Sequence, residues 1–371
     1  MKDALERIPV PDEEPARERA HKVVLTAFAG REPVRRPSQA RRVALGVGVA
    51  ALAVALAVAS PPGMAVVDRV REVVAVERTA PALFSLPAPG RLLVASDAGV
   101  WVVDADGRKR LLAGYREASW SPSGRFLVAT GANELAALEP DGGVRWTLSR
   151  PGVRHARWGG TEVDTRIAYL SRSELRVVAG DGTGDRAVGH ALAVAPAWRP
   201  GAGHVLTYVD RSNRVVTRDL VTGRVLWRVG GRGGVAALEW SGDGRRLNVR
   251  RGRRIDVLTR DGRAWTGLRA PDLAVVGSAI RPGSHAWAAA LNERGRSEVL
   301  VVGEPGGRIF AGRGSVTDLA WSPDGRWLLI ARPDADQWVL VRSDGGSIRS
   351  VSRIAQQFRS RSFPRLEGWC C

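Results

Sequence analysis

A tryptophan followed by a Ser/Pro/Gly turn returns about every forty residues through most of this chain, and that spacing restricts the fold more than any other feature. The clearest copies are Trp120-Ser-Pro-Ser-Gly-Arg-Phe-Leu-Val-Ala and Trp321-Ser-Pro-Asp-Gly-Arg-Trp-Leu-Leu-Ile. Further copies start at Trp158, Trp198, Trp240 and Ile280, giving intervals of 38, 40, 42, 40 and 41 residues. Each unit repeats an internal order. An apolar run ends at the anchor, as in Val235-Ala-Ala-Leu-Glu-Trp240, and a Pro/Gly/Asp turn follows. Two further apolar runs come next, as in Trp327-Leu-Leu-Ile-Ala331 and Gln337-Trp-Val-Leu-Val341, then an Asp-Gly turn and a weaker fourth run. Four short β-rich runs with Asp-Gly and Pro-Gly punctuation are what antiparallel hairpins require, because Gly and Asp accept turn dihedrals that branched residues resist.

The ends of the array set the number of units. Pro87-Ala-Pro-Gly-Arg-Leu-Leu-Val-Ala-Ser looks like the residues that follow an anchor, but no convincing anchor strand precedes it at Leu86. Phe363-Pro-Arg-Leu-Glu-Gly-Trp-Cys-Cys371 looks like an anchor strand with almost nothing after it, and Trp369 stands in the anchor position. If this segment pairs with the strand starting at Arg91, the last strand completes the first unit and closes a ring. The anchors Trp120, Trp158, Trp198, Trp240, Ile280, Trp321 and Trp369 then predict an all-β, seven-bladed β-propeller over residues 86–371. The alternative is six blades and a stray hairpin.

The repeat resembles those of TolB-type or WD-like propellers, whose hallmark Trp-Ser-Pro-Asp-Gly-Arg stands intact at 321–326. The resemblance implies that the anchor tryptophans pack between blades and that the turns sit at one rim. It implies no catalytic residue. The Trp-Asp dipeptide of WD repeats is absent, and Gly189-His190 and Gly203-His204 do not recur with the repeat, so a borrowed peptide-docking surface does not carry over.

Ahead of the repeat, Val43 to Ala59 has neither a charge nor a strongly polar residue, and as a helix it would rise about 25 Å, the short end of a bilayer span. Arg31, Arg35, Arg36, Arg41 and Arg42 crowd its N-terminal flank, whereas no charge follows it before Asp68, which places the N-terminus in the cytoplasm and the propeller outside it. The organisation expected is a cytoplasmic stub (1–42), a transmembrane anchor (43–60), a juxtamembrane segment (61–85) and the propeller (86–371). Cleavage after the small-x-small pattern Ala57-Val-Ala59 is the competing outcome. Within the stub, an acidic start at Asp12, Pro15 and the apolar set Val23, Val24, Leu25, Ala27 and Phe28 predict a short amphipathic helix ending at Gly30, a surface for a cytoplasmic partner. Residues Met64 to Val76 read as a β-branched amphipathic helix or strand.

The net charge of +18 suggests a polyanion partner at first sight, but only Lys2, Lys22 and Lys109 of the 56 basic residues are lysines. Such an arginine bias beside abundant Ala, Val and Gly is explained by a GC-rich genome, and no nucleic acid is expected as partner. The two cysteines, Cys370 and Cys371, are adjacent at the C-terminus and cannot form a CxxC metal site. They end a strand as apolar residues, form a vicinal disulfide, or bridge two chains. No Gly-x-Ser-x-Gly elbow is present, and His21, His155, His190, His204 and His285 show no HxxxH or HExxH spacing. Gly180-Asp-Gly-Thr-Gly-Asp185 lacks the Lys-Ser/Thr of a P-loop and reads as a blade hairpin. No catalytic, cofactor or metal residue is assigned. The function expected is a non-enzymatic, membrane-anchored, extracytoplasmic scaffold for a protein, glycan or lipid, with possible signalling to the stub. The alternative is an enzyme acting on cell-wall or anionic polysaccharide, its carboxylates converging in the propeller channel.

Overall fold

The computed structural model describes residues 85–161, 164–269, 274–303 and 306–371, together with the short strand Thr79–Ala80. The stub, the apolar run 43–59 and residues 64–76 lie outside the described residues. Among the described residues no helix is long and apolar enough to cross a membrane.

These residues form seven antiparallel sheets, the seven-bladed alternative of the two left open by sequence. Blade 2 runs Glu117–Trp120, Leu127–Thr130, Glu134–Leu138, Val144–Ser149, and blades 3 to 7 repeat the order with first strands Val153–Gly160, Ala197–Trp198, Val235–Trp240, Ala274–Ile280 and Leu319–Trp321. Blade 1 is built from both ends of the array. The C-terminal strand Arg365–Cys370 pairs with Arg91–Ser96, followed outward by Gly99–Val103 and Lys109–Leu112. Its register sets Arg91 against Cys370 and Leu92 against Trp369. The first strands touch one another in sequence from blade 1 through blade 7 and back to blade 1, so they are the innermost strands of a closed ring. Thr79–Ala80 adds a parallel fifth strand to the outer edge of blade 7.

Burial explains the texture of the sequence. Gly99–Val103, Val205–Val209 and Trp327–Arg332 are buried at every position, because neighbouring blades cover both faces of each sheet. Strands covered on both faces read as continuous apolar runs, as parallel buried strands do. The outermost strand Val144–Ser149 has no buried residue, which is why the fourth run of each repeat is weak.

The apolar clusters lie between blades, not within them. Trp120 joins Leu127 and Ala129 of blade 2 to Leu93, Val100 and Val102 of blade 1. Trp240 does the same for blades 5 and 4 with Val209 and Val215, and Trp321 for blades 7 and 6 with Ala288 and Val299. The seam between blades 7 and 1 also takes Ile354 and Phe358 from the short helix Ile354–Gln357, with Phe358 against Trp338 and Trp101.

Candidate functional site

Each anchor sits on an innermost strand, and three of them donate their indole N–H to the preceding blade. Trp198 reaches the Arg157 carbonyl at 2.8 Å, Trp240 the Thr207 hydroxyl at 3.0 Å and Trp321 the Ala279 carbonyl at 3.1 Å. The indole nitrogens of Trp120, Trp158 and Trp369 are buried without a hydrogen-bond partner. In blade 6 the anchor is Ile280, and its cross-strand neighbour Trp287 fills the seam with blade 5. Aromatic and aliphatic have exchanged strands across one pair, a swap that the search for anchor tryptophans overlooks.

The turn after the anchor is organised by side chains. In blade 7 the Ser322 hydroxyl donates to Asp324 at 2.5 Å and accepts from the Trp327 N–H at 2.9 Å. Ser241, Asp243 and Arg246 repeat the arrangement in blade 5. An arginine of the preceding blade then clamps the turn: Arg281 Nε donates to the Gly325 carbonyl and Arg199 Nε to that of Gly244, both at 2.8 Å, and Arg91 Nη2 to that of Gly124 at 3.2 Å. The three guanidinium groups also lie over Trp321, Trp240 and Trp120, 5.2 to 5.6 Å from the ring centroids. Part of the arginine excess is therefore structural, and it was invisible as such in the composition.

Toward the centre of the ring, carboxylates bridge consecutive innermost strands, each toward the next blade. Glu117 of blade 2 accepts the His155 backbone N–H of blade 3 at 2.6 Å, with the imidazole Nδ1 3.4 Å away. Glu239 of blade 5 accepts the Ile280 N–H of blade 6 at 2.8 Å and a hydrogen bond from Ser278. Asp318, ahead of the innermost strand of blade 7, accepts the Leu366 N–H of blade 1. Glu367 of the closing strand takes no such bond; it pairs with Arg365 at 3.1 Å, and its side chain is only 7% exposed.

The four carboxyls titrate differently. Burial works against ionising Glu117, but hydrogen bonds from the His155 side chain and backbone, with the charges of His155 and Arg157, outweigh it and hold the group at about 2. Burial pushes Glu239 up to about 7, against its hydrogen bonds from Ile280 and Ser278. Burial likewise raises Glu367 to about 7, opposed by Arg157 and Arg365 and reinforced by the neighbouring charges of Glu117 and Asp318. Asp318 is raised by burial, partly offset by the Leu366 N–H and by Arg365 and Arg250. Arg250 is itself shifted down by burial, and its Nε finds no hydrogen-bond partner. Glu367 of blade 1, Glu117 of blade 2 and Asp318 ahead of the blade 7 strand thus feel one another's charge. Two of these three carboxylates already spend lone pairs on the backbone of the next blade.

The remaining candidates separate. His190 meets Arg211, His204 lies 2.8 Å from Asp164 and His285 3.2 Å from Asp243, so the described histidines do not gather. Among the described residues no cluster of His, Cys, Asp or Glu could hold a metal ion. The 180–185 run is a hairpin turn of blade 3, closed by Asp181 on Thr183. Asp185 at its end is a buried hub that accepts from Arg150, from Arg176 at 2.8 Å and from the Tyr169 hydroxyl at 2.7 Å. At the rim, Arg91, Arg125, Phe126, Glu139, Pro140, Asp141 and Arg145 line an open cavity of about 490 Å³. Cys370 and Cys371 form a disulfide with each other.

Comparison with known proteins fits this architecture. The WD domain, G-beta repeat family matches residues 306–349, which span the end of blade 6 and most of blade 7. No curated protein matches the chain. Among solved structures, the β-propeller domain of Cps50 (Swd1) from Myceliophteria thermophila is similar at 15% identity and a TM-score of 0.52, over 67% of this chain and 95% of that one. Hydrazine synthase from Kuenenia stuttgartiensis has 14% identity and a TM-score of 0.48, over 62% of this chain and 77% of its own. At such identities the likeness concerns the fold: the described residues form a seven-bladed β-propeller, in which residues 306–349 match the WD repeat.

Proposed function

We propose that this protein is a membrane-tethered, extracytoplasmic scaffold that binds a protein partner through the rim of its propeller. WD40-type propellers are typically interaction scaffolds. The observation that carries the reading is a recurrent pair on the blades between an arginine and an aromatic ring. Arg145 lies 5.5 Å from the Phe126 centroid, Arg246 3.1 Å from that of Trp265 and Arg349 5.4 Å from that of Trp327. Trp265 remains 48% exposed. Arginine and tryptophan are the residues most often found to dominate binding at interfaces, because they bury large area and retain polar contacts. A protein with an acidic face is the partner this surface suits. The tether rests on the uncharged run 43–59 and its arginine flank, and the Cys370–Cys371 disulfide is compatible with an oxidising compartment.

Tags at both termini, probed by protease in cells with an opened envelope, test the topology: loss of the C-terminal tag and survival of the N-terminal one is expected. Crosslinking from the purified protein should capture one acidic protein, and Trp265→Ala should abolish capture. Protection of the C-terminal tag, or capture unaffected by that substitution, defeats the proposal.

One observation favours the second reading, a polysaccharide-cleaving enzyme. Glu367, pushed up to about 7 beside Glu117 and Asp318, has the character of a general acid. Glu367→Gln would then abolish release of reducing ends from an anionic polysaccharide, whereas the scaffold reading expects no such release from either form.

A further inference from the structure

We propose that Cys370–Cys371 is a thiol–disulfide exchange site whose substrate is a small anionic thiol held in the arginine-lined rim cavity. The inference does not depend on the scaffold reading. Adjacent cysteines close almost no loop, and the stabilisation a cross-link gives through the unfolded chain grows with the loop it closes. A structural explanation of this bond is therefore weak, and reactivity is the property left to it.

The surroundings supply the recognition. A Cβ placed on Gly124 would strike Cys371 Sγ and stand 3.2 Å from Cys370 Sγ, so both sulfurs lie against the blade 2 turn. The carbonyl of that same Gly124 accepts from Arg91, and Arg91 is the register partner of Cys370. Arg125, the next residue, is exposed and has no ion-pair partner among the described residues. Arg91 and Arg125, with Arg145 beyond them, line the cavity of about 490 Å³. Arg145 is paired with Glu139 at 3.2 Å, and Asp141 also lines the cavity; the cysteines border it through Arg91, opposite Cys370, and through Arg125, next to the Gly124 they touch. A positive surface draws in an anionic thiol, raises its thiolate fraction at the site and stabilises the thiolates that reduction releases.

The exchange balances as follows. A thiolate RS⁻ attacks the sulfur of Cys371, the more exposed residue of the pair, forming RS–S–Cys371 and expelling the Cys370 thiolate. A second RS⁻ attacks the R-bearing sulfur, forming RSSR and expelling the Cys371 thiolate. The protein disulfide gains two electrons, two RSH molecules are oxidised to RSSR, and their two protons end on the new thiols or in solvent.

The full-length chain, purified aerobically in detergent, is alkylated before and after treatment with 2-mercaptoethanesulfonate, 2-mercaptoethanol or cysteamine, and weighed intact. No label before treatment and two per monomer afterwards are expected. Rates normalised to thiolate should fall in the order anionic, neutral, cationic, spanning roughly tenfold at low ionic strength and converging at high salt. Arg125→Glu should reverse the order, and Cys370→Ser/Cys371→Ser should take no label. Two labels before reduction, a disulfide-linked dimer on a non-reducing gel, or an order indifferent to thiol charge would each overturn the proposal.

Discussion

Glu367 is the residue at which sequence and environment disagree most. A carboxyl raised from its ordinary value to about 7 binds its proton more tightly folded than unfolded, so its contribution to stability is complete below about pH 4.5 and is lost as pH rises to about 7. Glu239 acts in the same direction over the same window, whereas Glu117, held at about 2, stabilises above pH 4.5 and loses that contribution as pH falls toward 2. Glu367→Gln mimics the protonated form. It should raise the melting temperature at pH 8, by a free energy of up to about 3 kcal/mol, and leave it nearly unchanged at pH 4. Thermal melts of both proteins across that range check the sign, and destabilisation at pH 8 would show that the Arg365 pair outweighs the burial. None of this central set was legible in the sequence. Glu117 and Asp318 stand three positions before their anchors, Glu239 one and Glu367 two, so no fixed offset marks them. The register shift between Leu93 and Val94 further alters which side the closing strand presents.

At the level of single elements, the closing strand bears the largest consequence. Removing residues 366–371 takes away Trp369 from the blade 7–1 seam, the pairing with Leu92 and Leu93, and the Leu366 N–H that Asp318 accepts. The melting temperature should fall by on the order of 10 °C or more, and an unchanged melt would mean that the ring does not depend on this strand. Gly124→Ala should also destabilise, because its φ of +65° disfavours a side chain and the added Cβ would strike Cys371. Arg281→Ala tests the turn clamp: loss of the Gly325 bond and of the contact over Trp321 should cost about 1–2 kcal/mol by denaturant titration. The sequence displayed the closing strand because Phe363 to Trp369 reads as an anchor run with almost nothing after it, although Trp369 follows Trp321 at more than the usual interval. It hid the Ile280/Trp287 exchange, the parallel strand Thr79–Ala80 and the helix Ile354–Gln357, since each is specified by packing partners far away in the chain and not by its own pattern.

For the molecule as a whole, apolar clusters fill the seams between blades, and the proposed recognition falls to the exposed periphery. If that periphery selects acidic partners, capture should weaken steeply with salt, and salt-insensitive capture would point to an apolar contact instead. The closure has one more consequence, which concerns biosynthesis. Strands Arg91–Ser96 through Lys109–Leu112 are made near the start of the repeat region, but their inner partner is synthesised only after the strands of the other six blades. At ordinary translation rates the nascent propeller therefore waits for tens of seconds with an unpaired edge and one open seam. Chaperones have that interval in which to engage it.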